Sequence, residues 1–99
     1  MNKQLYITLS HLNEFMGIEY FRPGMEVILK KDPGNLYDDE AIEVYGKDGP
    51  KYGYVANSVG TVARGTHSAG YIYEIIGDSA KCVIRFVTQE EAIAEILTE

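Results

Sequence analysis

Residues 35–56 constrain this chain more than any others. Residues 35–44 read Asn-Leu-Tyr-Asp-Asp-Glu-Ala-Ile-Glu-Val. Asn35, Tyr37 and Asp38 form a polar, aromatic turn. Ala41, Ile42 and Val44 then open a strand whose inward positions are apolar. Lys47-Asp48-Gly49-Pro50 is turn chemistry, so residues 41–45 and 51–56 are expected to pair as a hairpin. A ring and a carboxylate held at the mouth of a strand suit a grip on a small ligand or the end of a base stack.

The same two-residue period recurs elsewhere. The odd positions of residues 5–9 are apolar. Met25, Val27 and Leu29 alternate with Glu26 and Lys30. Ala80, Cys82, Ile84 and Phe86 alternate with Lys81 and Arg85. Short strands punctuated by Gly and Pro predict a closed or partly open barrel. Helical signals are fewer. Thr88-Gln89-Glu90-Glu91 has the spacing of a capping box. Ala92, Ile93, Ile96 and Leu97 share a helical face opposite Glu95 and Glu99, which predicts a C-terminal amphipathic helix over 88–98. Such a helix is marginal alone and should lie on the barrel or on a second subunit. Asn57 or Ser58 is expected to cap a short helix through Ala63, and Ser68 another through Ile76, ended by Gly77.

Ninety-nine residues make one domain, 1–99. A chain of this size buries about two-thirds of its unfolded surface, enough for one core without staples. Cys82 is the single cysteine, so there is no internal disulfide. One Cys and two separated His give no metal-ligand spacing, and neither a metal nor a cofactor is expected. No Walker loop or dinucleotide-binding glycine pattern is present. No apolar run approaches the ~18 residues of a membrane span, and the N-terminus lacks a signal-peptide core. A cytoplasmic protein without membrane attachment is expected. Nine basic and fifteen acidic side chains leave a net charge of −6. Nucleic-acid affinity rests largely on Lys and Arg displacing counterions, so tight sequence-independent binding is not expected.

The chain offers few catalytic groups. Cys82 falls on the inward face of its strand, where a small core residue is expected. His11 and His67 stand far apart in loop contexts, with no partner in view. Asp32, Asp38, Asp39 and Glu40 are acidic neighbours, but they depart from the EF-hand spacing, and for Asp32, Asp39 and Glu40 a solvated turn is expected. A hydrolase is therefore disfavoured. Eight tyrosines accompany no tryptophan. If Val44 and Val55 point inward, strict alternation sends Tyr45, Tyr52 and Tyr54 to the opposite face. That face is either a base-stacking platform or a surface covered by the 10–22 loop or the terminal helix.

The order of these motifs resembles the HIRAN domain family over residues 5–87. The resemblance is carried by Gly17-Ile18-Glu19-Tyr20-Phe21, the strand beginning at Met25 with Lys31-Asp32-Pro33 after it, the 35–44 motif, and Gly53-Tyr54-Val55. It implies an OB-like β-barrel of about six strands with two helices. It also implies a module that, in eukaryotic members fused to SWI/SNF-type ATPases, binds the 3′ end of single-stranded DNA. By matching position, Tyr20 and Tyr37 would be the aromatic contacts, and Asp38 would accept from the 3′-hydroxyl. Glu19 stands where the DNA-binding members carry arginine, Tyr54 at a histidine position and Asn57 at a lysine position. Leu36 replaces the usual proline.

The expectation is thus a mainly β protein: a small OB-like barrel of about six strands with two or three short helices. Its expected function is non-catalytic binding of nucleic acid, at a single-stranded DNA 3′ end, weakly or with a partner. The expected site is Tyr20, Tyr37, Asp38, Tyr54 and Asn57. The alternative is a protein–protein interaction module of the same fold that has lost DNA binding, taking a basic partner or a second copy through the C-terminal helix.

Overall fold

A computed structural model describes residues 4–97. Six strands, β1 (Tyr6–Ser10), β2 (Glu26–Lys31), β3 (Ile42–Gly46), β4 (Lys51–Val55), β5 (Ser79–Val87) and β6 (Ala92–Ile96), close a barrel in the order β1-β4-β3-β2-β5-β6. Each neighbouring pair is antiparallel. Two 3-10 turns, Leu12–Glu14 and Ile18–Tyr20, lie between β1 and β2, and helix α1 (Ala69–Tyr73) between β4 and β5. Closure gives every strand a neighbour on each side, with β1 and β4 meeting at Leu9–Val55 and Ser10–Tyr54. No helix among the described residues is long and apolar enough to cross a membrane.

The interior follows the alternation. Ile7, Leu9, Val27, Leu29, Ile42, Val44, Cys82 and Ile84 are fully buried. α1 adds Ala69 and Ile72 to this core. Ser68 caps it as expected, accepting from the Tyr71 N–H at 3.2 Å, and a further turn ends with Ile76 N–H donating to the Ile72 carbonyl.

The C-terminal helix expected over 88–98 is instead β6; Thr98 and Glu99 lie outside the described residues. The sequence Ala-Ile-Ala-Glu-Ile-Leu satisfies both periods. Ala92, Ala94 and Ile96 are buried, while Ile93 and Glu95 face outward. Pairing decides the matter, because this strand alone joins β1 to β5 and closes the barrel. The Thr88–Glu91 hydrogen bond of the expected capping box does form, with Glu91 N–H donating to Thr88 Oγ1 at 3.0 Å. Thr88 N–H also donates to the Glu91 carbonyl, so the pair staples a hairpin turn rather than a helix start. The short helix expected to start at Asn57 or Ser58 is likewise a run of turns, in which Thr61 and Val62 N–H both donate to the Ser58 carbonyl.

Two bulges redirect side chains that strict alternation misplaces. Between β3 and β4, Val44 pairs with Gly53 but Tyr45 pairs with Lys51, so Tyr52 is the extra residue. A bulge shifts the facing of the residues beyond it. Tyr52 turns inward and is buried, while Lys51 and Tyr54 remain outside. The expected common face of Tyr45, Tyr52 and Tyr54 therefore does not form. Gly46 accommodates this ring: a Cβ there would strike the Tyr52 hydroxyl and ring. Between β5 and β6, Ile84 pairs with Ala94 and Phe86 with Ile93, leaving Arg85 over. Phe86, expected inside, is 62% exposed. Val87 takes up packing against the core in its place.

Candidate nucleic-acid interface

Where β1 and β4 end and β3 begins, the chain leaves a cleft of about 460 Å³. Its floor is Ala41, Ile42, Val55 and Ala56. Tyr37, Asp38, Tyr54 and Asn57 line it together with Asn35, Ser58 and Thr61 on one side and Ser10, His11 and Glu14 on the other. That volume suits a small organic ligand or a nucleotide.

The acidic turn is built by its own side chains. Asn35 Oδ1 accepts from the N–H groups of Tyr37 (2.9 Å) and Asp38 (3.0 Å), and Asn35 Nδ2 donates to Asp32. This is the local bonding that favours Asn in turns. Asp38 Oδ1 accepts from Glu40 N–H, and the Asp38 carbonyl accepts from Ala41 N–H at the start of β3. With its backbone spent on the turn, Tyr37 is left with 95% of its surface exposed.

Asn57 ties this turn to the rest of the rim. Its Nδ2 donates to Asp38 Oδ2 at 3.0 Å and reaches Glu40 Oε1 at 3.4 Å. Its Oδ1 accepts from Gly70 N–H in α1 at 2.8 Å. One amide therefore holds three segments that are distant in sequence. Asp38 has one bond on each oxygen, and a carboxylate offers about four acceptor sites, so acceptor capacity remains at the cleft.

The opposite wall turns at His11, whose backbone is left-handed (φ 62°). The His11 ring meets Tyr54 edge-on at 5.9 Å, and its Nδ1 lies 3.3 Å from Ser10 Oγ. Lys51 is drawn to the outer side of Tyr54, 2.6 Å from its hydroxyl and 2.8 Å from Glu43 Oε2. Burial works against the lysine charge, but the Glu43 and Tyr54 hydrogen bonds outweigh it and hold the pKa above the ordinary lysine range. That cation is committed to the barrel wall. The cleft itself is lined by Glu14 and Asp38 and by neither Lys nor Arg.

Tyr20 is not among the lining residues. It packs against Phe21 and Tyr52, each ring centroid 5.5 Å away, with its hydroxyl 3.3 Å from that of Tyr52. Phe15, from the same 10–22 loop, approaches Tyr54 at 6.4 Å. This loop thus covers the tyrosines of β4. His11 was weighed only as a catalytic group without a partner, and Glu14 carried no signal beyond its place just after an apolar strand. Among the described residues, no group of His, Cys, Asp and Glu could hold a metal ion.

The HIRAN domain model matches residues 5–94. The chain belongs to the HIRAN-domain family. Among solved structures, the HIRAN domain of human HLTF is similar over 94% of this chain and 72% of that one, with TM-score 0.70 and 20% identity. A protein from Lactobacillus plantarum is similar over 98% of both chains, with TM-score 0.60 and 19% identity. At these identities the likeness is one of fold. No curated protein matches by sequence. Within the HIRAN fold, the match spans the Asn35 turn, the Asn57 bridge and all but the end of β6.

Proposed function

We propose that this HIRAN domain is a non-catalytic module that grips the 3′ end of a single-stranded nucleic acid, weakly alone or together with a partner. The observation that carries the reading is Asp38. Its carboxylate is fixed by Glu40 N–H and Asn57 at an apolar-floored cleft, beside the open ring of Tyr37. An ionised carboxylate only accepts hydrogen bonds. It would bind a terminal sugar hydroxyl and repel a terminal phosphate, with Glu14 adding to the repulsion. Tyr37 offers its face to a base, a contact worth ~1–3 kcal/mol where such stacking occurs. Tyr54 and Asn57 shape the cleft, and Tyr20 would contribute only at its periphery.

The test is fluorescence anisotropy at low salt with labelled single strands ending in a 3′-hydroxyl or a 3′-phosphate. The wild type should prefer the hydroxyl. Asp38→Ala should lose that preference, with affinity falling roughly 10- to 100-fold, as for a hydrogen bond to a charged group worth ~1.5–3 kcal/mol. Equal binding of both ends by the wild type would refute end recognition.

One observation favours a second reading, a protein-binding module. A cleft with Glu14 and Asp38 but no lining Lys or Arg attracts cations, so a basic segment of a protein partner would fit it. Absence of binding to either strand would favour this reading. A second copy docking on a C-terminal helix is no longer part of it, since β6 is committed to barrel closure.

A further inference from the structure

A second cleft, of about 450 Å³, adjoins the first and shares Asn57 and Ser58 with it. Its other lining residues are Val59, Val62, Thr66, His67, Ser68 and Tyr71. His67 and Tyr71 lie as a stacked pair, centroids 4.1 Å apart and planes 13° from parallel. Tyr71 nevertheless keeps 48% of its surface exposed, and Val59 at the rim keeps 99%. A flat, prestacked pair that stays about half exposed on the tyrosine side is what a planar base can extend. Here it stands one shared wall away from the Asp38 cleft.

The support beneath this platform is firm. Thr8 on β1 is fully buried, its hydroxyl 2.8 Å from Thr66 Oγ1 and accepting from Ala63 N–H at 3.1 Å. His67 N–H donates to the Tyr6 carbonyl at 2.7 Å, and Ser68 caps the helix that carries Tyr71. The Asn57–Gly70 bond couples the platform to the first cleft. Charge also changes across the shared wall. Whereas the first cleft contains two carboxylates, the second is lined by no acidic residue.

We infer that this second cleft is a base subsite, at which Tyr71, braced by His67, stacks a nucleotide upstream of the 3′ terminus held at Asp38. The inference rests on the end-binding reading and extends it. The strand would leave the terminal cleft across Asn57 and Ser58, passing from a lining with Glu14 and Asp38 to one with no acidic residue. Affinity should then grow with strand length until the platform is reached.

The experiment compares a dinucleotide with a hexanucleotide, both with free 3′-hydroxyls, as competitors of a labelled strand. It uses the wild type, Tyr71→Phe and Tyr71→Ala, each checked for an unchanged melting temperature. The wild type and Tyr71→Phe should bind the hexanucleotide more tightly. Tyr71→Ala should lose roughly tenfold on the hexanucleotide, the scale of one base stack, and nothing on the dinucleotide. A length gain that survives in Tyr71→Ala, or no length gain in the wild type, would overturn the subsite while leaving end binding intact. If neither strand competes and none binds directly, end binding fails and the subsite falls with it.

Discussion

The barrel wall and the loops on its rim are specified by different atoms. In the wall, apolar side chains alternate inward, and Val, Ile or Leu at any one position meets much the same demand. In the rim, Asn35, Asp38 and Asn57 each make bonds that depend on one particular oxygen or nitrogen. Structures that share about a fifth of their residues with this chain keep the same fold. Glu19, Tyr54 and Asn57 lie outside the apolar interior, where substitution changes what the domain meets more than how its wall packs.

Three measurements would break or sharpen this contrast. The largest effect is expected in the wall. Ile84 is fully buried, and Ile84→Ala should cost about 2–5 kcal/mol by urea denaturation. A loss below about 1 kcal/mol would mean that the wall is not close-packed there. A smaller global effect is expected in the rim. Asn57→Ala should cost about 1–2 kcal/mol, because its three hydrogen bonds are partly exposed and each contributes only ~0.5–1.5 kcal/mol net. Its local effect should be larger: amide exchange at Gly70 should accelerate while exchange in β2 stays slow. Uniform acceleration would show that rim and wall open together.

The smallest effect near neutrality is electrostatic and belongs to the interior. Burial pushes the Cys82 thiol up from 9.0 to about 12. Burial, with the Tyr20 hydrogen bond, pushes the Tyr52 phenol up from 10.0 to about 12. Each group gives up its proton more readily in the unfolded chain. Their contributions are thus whole below the unfolded values and are lost as pH rises toward 12. The melting temperature should be insensitive to these groups at neutral pH and fall between pH 9 and 11. Cys82→Ala should make that fall shallower, and an unchanged slope would remove Cys82 as a contributor.

Four of the six strands were legible because burial on one face writes a two-residue period into the sequence, and β4 because the Lys47–Pro50 turn announces a hairpin. The sixth was not, because Ala92 to Leu97 fits a helix and a strand equally well and only barrel closure chooses between them. Tyr52 and Phe86 were misread for a related reason. A bulge inserts one residue without any compositional mark, and everything beyond it changes face. In the site, the Asn35 turn could be read because Asn and Asp act on their immediate neighbours. The Asn57 bridge to Gly70 spans separate segments, and nothing local announces it. Nor did the sequence suggest that His67 and Tyr71 would stack, since the loop geometry that brings them together is set by Thr8, far away in the chain.

The position of β1 between β4 and β6 also sets a timetable for synthesis. Tyr6 is made 89 residues before its partner Glu95. At roughly 5–20 residues per second, the first strand waits several seconds on the ribosome with one side unmatched. During that interval the nascent chain displays Ile7 and Leu9 beside an open backbone ladder, the kind of surface that chaperones shield. Until β6 arrives, the Thr8 anchorage of the rim loop has no finished wall behind it. The grip at Asp38 and the stack at Tyr71 should therefore mature together, after the last strand has closed the ring.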